Sequence, residues 1–490
     1  MSLLLRNARI GSPSSGERVA DILTSGGRID RIGTGLTSKG EAIDLEGRSV
    51  VPGLWDEHVH FGQQAFTRRQ VDVSTAASAL DAATAMGAAF ASHPPKTGTT
   101  LSGFGFRDGL WPDIPTAALL DRQTGDIPTV LVSNDLHCCW LNTAALSRYG
   151  VTSDENGLVR EDAAFAVSGA LQNVPSDVLD EWVAESAADA ASRGVVGVVD
   201  FEMSDNLAAW GRRFAGGFSS LRIDAAIYTE HLAAAVTAGR FTGEPLEPTG
   251  LLAVGPFKLL IDGSLNTRTA FCVHDYPGLE GTEHSRGILT VSSDRLVELM
   301  GVAAAAKLVP AIHAIGDEAN RIALDAFETV GCGGRIEHAQ LLVESDYPRF
   351  AALGVAASVQ PEQAMDDRDV TDRYWAGRTE RAFVLRDLLD AGAKLLFGSD
   401  APVAPLDPWI TMAAAVGRAR DGREAWHPEQ AVTFEEALSS STRSTIVEGQ
   451  RADLAVLGAD PFSAPAQELR TMPVVGTLVD GRWTHNTMGG

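Results

Sequence analysis

Between residues 194 and 401 the chain repeats one pattern, a short and nearly continuous apolar run followed by a longer amphipathic stretch. The runs are GVVGVVDFE (194–202), LRIDAAIY (221–228), GPFKLLID (255–262), LVPAIHAIG (308–316), GGRIEHAQ (333–340), GVAASVQP (354–361) and KLLFGSDA (394–401). A strand that is apolar on both faces must be covered on both faces, which is the situation of a parallel sheet flanked by helices. SDRLVELMGVAAAAKL (293–308) and TERAFVLRDLLDAG (379–392) each open on Ser or Thr followed by an acidic residue, and the second runs into Ala-Gly. Those are helix start and stop signals. SVVPGLWDEHVH (49–60) supplies an eighth strand. Eight such units predict an α/β fold of the closed (β/α)₈ TIM-type.

The repeat is interrupted twice. Residues 61–193 separate the first two strands and are too long for a loop, so they are read as a subdomain inserted over the barrel mouth. Residues 263–287, Gly-rich and polar, follow strand four and are read as a lid. The two ends of the chain alternate and turn often, with Gly-Gly and Asp-Gly steps. They are expected to meet as one β-sandwich from residues 1–50 and 445–490, with the barrel over 51–444.

Composition narrows the functional classes. A net charge of −24 argues against nucleic acid and anionic membrane as partners. No apolar run reaches the roughly 18 residues of a membrane span. MSLLLRNARI lacks the apolar core of a signal peptide, so a cytoplasmic setting is expected. Four cysteines in 490 residues do not make a disulfide framework. The adjacent pair Cys138–Cys139 is read as core packing rather than as a metal site.

Polar residues at strand ends carry the chemistry, because the active site of an α/β barrel lies at the C-terminal ends of its strands. His58 and His60 stand at positions i and i+2, which share one face of a strand. Lys258 lies in strand four, His313 ends strand five, His338 ends strand six and Asp400 ends strand eight. Each has a plain structural reading. A lone His is often a hydrogen-bonded core group, Lys258 could pair with Glu337 or Asp262, and Asp400 could cap a turn. Together those readings require every one of these residues to fall at the same barrel end by accident, so a metal site is expected.

HxH on strand one, Lys on four, His on five and six and Asp on eight resembles the amidohydrolase superfamily in its two-metal form. VVPGLWDEHVH resembles that superfamily's entry into the barrel, and GQRADLAVL its exit into the sandwich. KLLIDGSLNTRTA, HAIGDEAN, RIEHAQ, FGSDAPV, SGFGF and NDLHCCWLN resemble more narrowly the branch that holds N-substituted formamide deformylase. The resemblance implies that His58, His60 and Asp400 hold one divalent ion, that His313 and His338 hold a second, and that Lys258 bridges them as a CO₂-derived carbamate. The bridging role is consistent with electrostatics: an ammonium about 4 Å from a dication would be repelled by roughly 8 kcal/mol at an effective dielectric near 20. Zn²⁺ suits such ligands best, with Mn²⁺, Fe²⁺ or Co²⁺ open.

The implied reaction is attack of a metal-bridging hydroxide on a non-peptide, amide-type C–N bond (N-formyl or N-acyl) of a small molecule, with Asp400 moving the proton. His137 and Arg268 are candidate substrate contacts. So is Gln363, which stands where relatives often carry His. Two other readings stay open: a mononuclear deaminase with Lys258 a bystander, and a metal-free scaffold homologue. A homodimer is also left open.

Overall fold

The computed structural model of the chain describes residues 2–14, 16–93, 95, 99–154 and 157–488. At its centre is an eight-stranded sheet whose strands follow one another in chain order: Leu54–Val59, Val195–Asp200, Arg222–Ile227, Leu252–Leu260, Pro310–Ala314, Gly334–His338, Val355–Val359 and Leu395–Phe397. Every neighbouring pair is parallel. The sheet curls until its ends meet. Asp400 N–H donates to His58 O at 2.7 Å and His60 N–H donates to Ala401 O at 2.8 Å. Val59 and Ala401 form the parallel bridge across this seam. The α/β barrel expected from the βα period is therefore the observed fold, and its seam lies where strand-end histidines emerge.

Two local expectations are corrected. SVVPGLWDEHVH is two strands, not one: Val50–Pro52 pairs with Leu454–Leu457 in a terminal sheet, and only Leu54–Val59 enters the barrel. Gly53 divides them. A Cβ there would lie 2.3 Å from Val196 Cγ1, so the chain passes too close to its neighbour for any side chain. The helix expected over 379–392 breaks into a 3₁₀ turn, Thr379–Arg381, and a short helix, Leu385–Asp390. Between them Phe383 adopts φ +55° and donates its N–H to Gln340 O at 2.7 Å, so a tertiary bond overrides local helix preference. Ser293–Ala305 does form, capped by the Ser292 hydroxyl, which accepts the Arg295 N–H.

The chain ends build two four-stranded sheets. One runs Arg28–Gly33, Arg18–Ser25, Ser2–Ile10, Glu41–Asp44; the other runs Arg482–Asn486, Val474–Val479, Leu454–Leu457, Val50–Pro52. Leu5, Ile22, Val50, Leu454 and Leu478 from both ends share one buried core. A buried ion pair, Arg222 to Asp453 at 2.6 Å, ties the sheets to the barrel.

Within residues 61–193, the helices Phe61–Thr67 and Ser176–Ser192 pack against the barrel strands. The segment between them forms a five-stranded sheet in the order Leu158–Arg160, Cys138–Leu141, Thr129–Ser133, Leu101–Phe106, Val71–Asp72. Residues 94, 96–98, 155 and 156 of this segment lie outside the described residues. Alternation along the Cys138–Leu141 strand sends Cys138 to the side of Phe106 and Trp140, and Cys139 to the side of Val132 and Ala164. Both thiols are buried and free. Asn134 at the edge of this sheet donates to Val403 O at 3.0 Å, which seats the sheet on the barrel rim. Residues 263–287 contain no helix or strand, but they are packed: Ala270, Cys272 and Tyr276 are buried, and Cys272 N–H donates to Arg286 O at 2.8 Å. Among the described residues no helix is long and apolar enough to cross a membrane.

Candidate metal centre

The strand ends bring the expected residues to one point on the barrel rim. His58 Nε2 lies 3.4 Å, and His60 Nε2 3.3 Å, from the same oxygen, Asp400 Oδ1. Lys258 Nζ lies 3.4 Å from His58 Nε2 and over the Phe201 ring, 4.3 Å from its centroid. The His338 ring centroid is 5.3 Å from that of His58 and 4.4 Å from that of His313. Ligand atoms of His58, His338 and Asp400 fall within 4.8 Å of one another, a group able to hold a metal ion.

The backbone bends to deliver two of these side chains. His338 has φ +73° and Asp400 φ +58°. Positive φ is uncommon for any residue with a side chain, though less so for Asp and His than for most, and it persists where the surrounding structure holds it.

The donor set fits a cation. Burial pushes the His58, His313 and His338 imidazoles well below the usual histidine value, so each is neutral with a free lone pair. Burial also lowers the Lys258 amine to about 8. It would raise Asp400, but the neighbouring histidines and Lys258 outweigh it and hold that carboxyl well below the ordinary range. His60 Nδ1 and His338 Nδ1 are buried and have no hydrogen-bond partner among the described residues. Neutral imidazole nitrogens with a carboxylate oxygen are ligands for Zn²⁺-type ions.

A second layer that the sequence did not reveal orients the first. His58 Nδ1–H donates to Glu337 Oε2 at 2.7 Å, which fixes Nε2 as the free nitrogen. Glu337 also binds Arg335, and Arg335 Nη1 donates to Glu57 at 3.0 Å. Asp56 Oδ1 accepts the N–H groups of Ser399 at 2.9 Å and His58 at 3.1 Å, joining strand one to the segment beyond strand eight. Burial raises its carboxyl to about 7. Of the structural partners considered for Lys258, Glu337 does attract its amine, but both carboxylates take their hydrogen bonds from other groups. Glu337 hydrogen-bonds His58 and Arg335, and Asp262 accepts from the backbone of Phe271, Ile315 and Gly316. The available signal was charge inside strands that are apolar on both faces: a buried Glu or Arg there must find a partner.

Above the cluster lies a cavity of about 160 Å³, with walls from the barrel (Tyr228, Leu260) and from the inserted segment (Asp135, His137, Phe165). It continues into a smaller lobe of about 50 Å³ lined by Arg107, Gln363, Asp366 and Asp367. Burial, with Asp366 and Asp135 nearby, raises the Asp367 carboxyl to about 7. Of the candidate substrate contacts, His137 lines both lobes. Gln363 lines the smaller lobe and donates to Asp400 Oδ2 at 3.0 Å. Arg268 does not line either lobe; its guanidinium sits over the Tyr374 ring, 5.4 Å from the centroid.

Comparison with known proteins agrees with this architecture. The chain is 28% identical to the LONG AFTER FAR-RED 3 protein of Arabidopsis thaliana, over 98% of this chain and 91% of that one. It is 27% identical to the N-substituted formamide deformylase of Arthrobacter pascens, over 98% of this chain and 97% of that one. An uncharacterized metal-dependent hydrolase from Pyrococcus horikoshii OT3 superposes with a TM-score of 0.79 at 25% identity, covering 95% of this chain and 99% of its own. The signature described as "Amidohydrolase family" spans residues 41–485, which takes in the whole barrel and nearly all of the terminal sheet that contains Val50–Pro52, and the chain belongs to that family.

Proposed function

We propose that the protein is a metal-dependent hydrolase of amide-type C–N bonds in small molecules, of the N-formyl or N-acyl kind. The observation that carries this reading is the convergence of His58 Nε2 and His60 Nε2 on Asp400 Oδ1, with Lys258 and His338 alongside, on the floor of a cavity in an amidohydrolase-family chain. His58, His60, His313, His338 and Asp400 would hold two divalent ions, Zn²⁺ by ligand type, with Lys258 bridging them as its carbamate. Ions bound there would polarise the substrate carbonyl and bring the pKa of a water to about 7.

The chain's own groups do the rest. Asp400 is placed to take the proton of the attacking water and return it to the leaving nitrogen. Gln363 donates its amide N–H to Asp400 Oδ2 at 3.0 Å, which orients the carboxylate with Oδ1 toward His58 and His60. His137 faces the substrate from the roof as a hydrogen-bond donor to its oxygen. Arg268 is assigned to anchoring the loop on Tyr374. In the smaller lobe Asp366 is paired with Arg107 at 3.2 Å and Arg420 at 2.7 Å, so the lobe offers a substituent polar contacts of both signs. The 27% identity to a formamide deformylase supports the choice of bond.

The test is metal analysis joined to a screen. Protein stripped of metal and reloaded with Zn²⁺ is assayed against N-formyl, N-acyl and cyclic amides, with bound metal counted per chain. Close to two equivalents and turnover of an amide are expected. One equivalent with release of ammonia from an amino-substituted ring would favour the deaminase reading, in which Lys258 is a bystander. Failure to rebind any divalent ion would favour the metal-free scaffold.

A further inference from the structure

The roof histidine does not stand alone. His137 Nδ1–H donates to Glu161 Oε2 at 2.8 Å, and the two residues are also joined by Glu161 N–H to His137 O at 3.0 Å. The other oxygen, Glu161 Oε1, accepts from the Thr269 hydroxyl at 2.5 Å, on the loop that follows strand four. Asp135 accepts the backbone N–H of His137 at 3.3 Å and the Ser264 hydroxyl at 2.6 Å. The imidazole is thus held by Glu161, which is itself tied to the loop after strand four, and the residue's backbone is tied to that loop through Asp135.

Two features show that the clasp is built rather than incidental. Glu161 adopts φ +50°, a strained backbone for a residue with a side chain. Gly263 leaves room for the carboxylate: a Cβ there would lie 2.6 Å from Glu161 Oε1 and 2.1 Å from Thr269 Oγ1. Gly263 O in turn lies 3.3 Å from His313 Nε2, so the clasp abuts the metal-capable cluster. The His137 and His313 ring centroids are 5.7 Å apart. With Nδ1 committed to Glu161, Nε2 is the nitrogen left for the cavity that His137 lines.

We propose that Glu161 is a positioning residue of the active site: held by Thr269, it fixes the tilt of His137 so that Nε2–H points at the substrate carbonyl from the side opposite the rim. This rests on the hydrolase reading above. The same carboxylate–imidazole arrangement elsewhere sets which ring nitrogen acts and how well it is aimed. Glu161 would act only through His137.

That last statement makes the proposal testable. Zn²⁺-loaded wild type, Glu161→Ala, Glu161→Gln, His137→Ala and the Glu161→Ala/His137→Ala double variant are compared in two assays. One is kcat and KM on an amide turned over in the screen. The other is binding of acetohydroxamic acid, a carbonyl-bearing metal chelator, by calorimetry. His137→Ala is expected to lower kcat about 10²-fold, the cost of losing one preorganised donor, with KM moving far less. Glu161→Ala is expected to come close to that loss, and the double variant to be no worse than His137→Ala. Glu161→Gln, whose amide oxygen can still accept from His137 while its NH2 donates to the Thr269 hydroxyl oxygen, is expected to recover most of the rate. Bound metal and melting temperature should stay near wild type for Glu161→Gln, which covers the case in which Glu161→Ala fails to fold.

Losses that multiply in the double variant, or a Glu161→Gln protein as impaired as Glu161→Ala, would overturn the positioning role and leave the hydrolase reading intact. Wild-type protein that takes up metal but neither turns over an amide nor binds the hydroxamate defeats the hydrolase reading itself, and the positioning role with it.

Discussion

The rim and the roof of the cavity use the same side chain to opposite effect. On the rim, His58, His313 and His338 are sealed among strand ends, and burial drives their imidazoles well below the ordinary value. On the roof, burial pulls His137 the same way, but the charge and hydrogen bond of Glu161, with Asp135 nearby, outweigh it and raise the group to about 9. The lesson is that a histidine's role follows from the balance around it: where burial and neighbouring cations such as Lys258 and Arg335 prevail, as at His58 in spite of Glu337, the ring offers a lone pair, and where a carboxylate prevails, as Glu161 does at His137, it offers a proton. The rim can therefore bind a cation, while the roof can donate to an oxygen.

The largest effect that bears on this contrast is at Asp400. Asp400→Asn keeps an oxygen near His58 and His60 but removes the proton acceptor, so turnover should fall about 10³- to 10⁴-fold while elemental analysis still finds metal. An active variant would dissolve the division of labour between floor and roof.

Next is the support beneath the rim. Arg335→Met leaves Glu337 short of its cation and removes one of the two guanidinium partners of Glu57, and both carboxylates are fully buried. Urea unfolding should show a loss of about 3–5 kcal/mol, the usual cost of breaking a buried ion pair from one side. A loss under 1 kcal/mol would mean that water reaches the network.

A smaller change sharpens the comparison further. Glu337→Gln removes the charge behind His58 Nδ1 and should weaken Zn²⁺ binding by about 10- to 100-fold in a chelator competition. Glu161→Gln should leave Zn²⁺ affinity unchanged. If both variants lose metal alike, rim and roof are one unit.

The smallest effect is in pH. For metal-free protein, a rim histidine that is neutral when folded but titrates near 6.5 when unfolded makes the unfolded chain bind more protons below that value. Each such group then costs about 1.4 kcal/mol per pH unit as pH falls from 6.5 towards its folded value. His137 has the opposite sign: its folded value of about 9 lies above 6.5, so its contribution is complete below 6.5 and is lost as pH rises through about 9. Stability curves of wild type and His137→Gln should therefore differ below pH 6.5 and merge above pH 9. Curves that stay parallel across that range would show that His137 carries no charge in the metal-free fold.

The pattern of residues was enough to place much of this molecule. Apolar runs at βα spacing specify a parallel sheet closed on itself, because each strand must be covered on both faces. His58, His60, Lys258, His313, His338 and Asp400 were legible because each is a polar interruption at the end of such a run. Local signals failed where tertiary contacts overrode them. Gly53 parts one apparent strand into two because Val196 lies against it, and Phe383 leaves its helix to bond Gln340.

The second layer was not legible for a physical reason. Nothing near Glu337 in the chain points to His58, nothing near Glu161 points to Thr269, and nothing in LNTRTA shows that Arg268 turns outward to Tyr374. Sequence periodicity determines which side chains stand at the rim, since it sets strand ends and faces. Which nitrogen of each imidazole is free, and what charge it carries, depends on carboxylates brought from remote segments of the chain, and only the folded structure decides that.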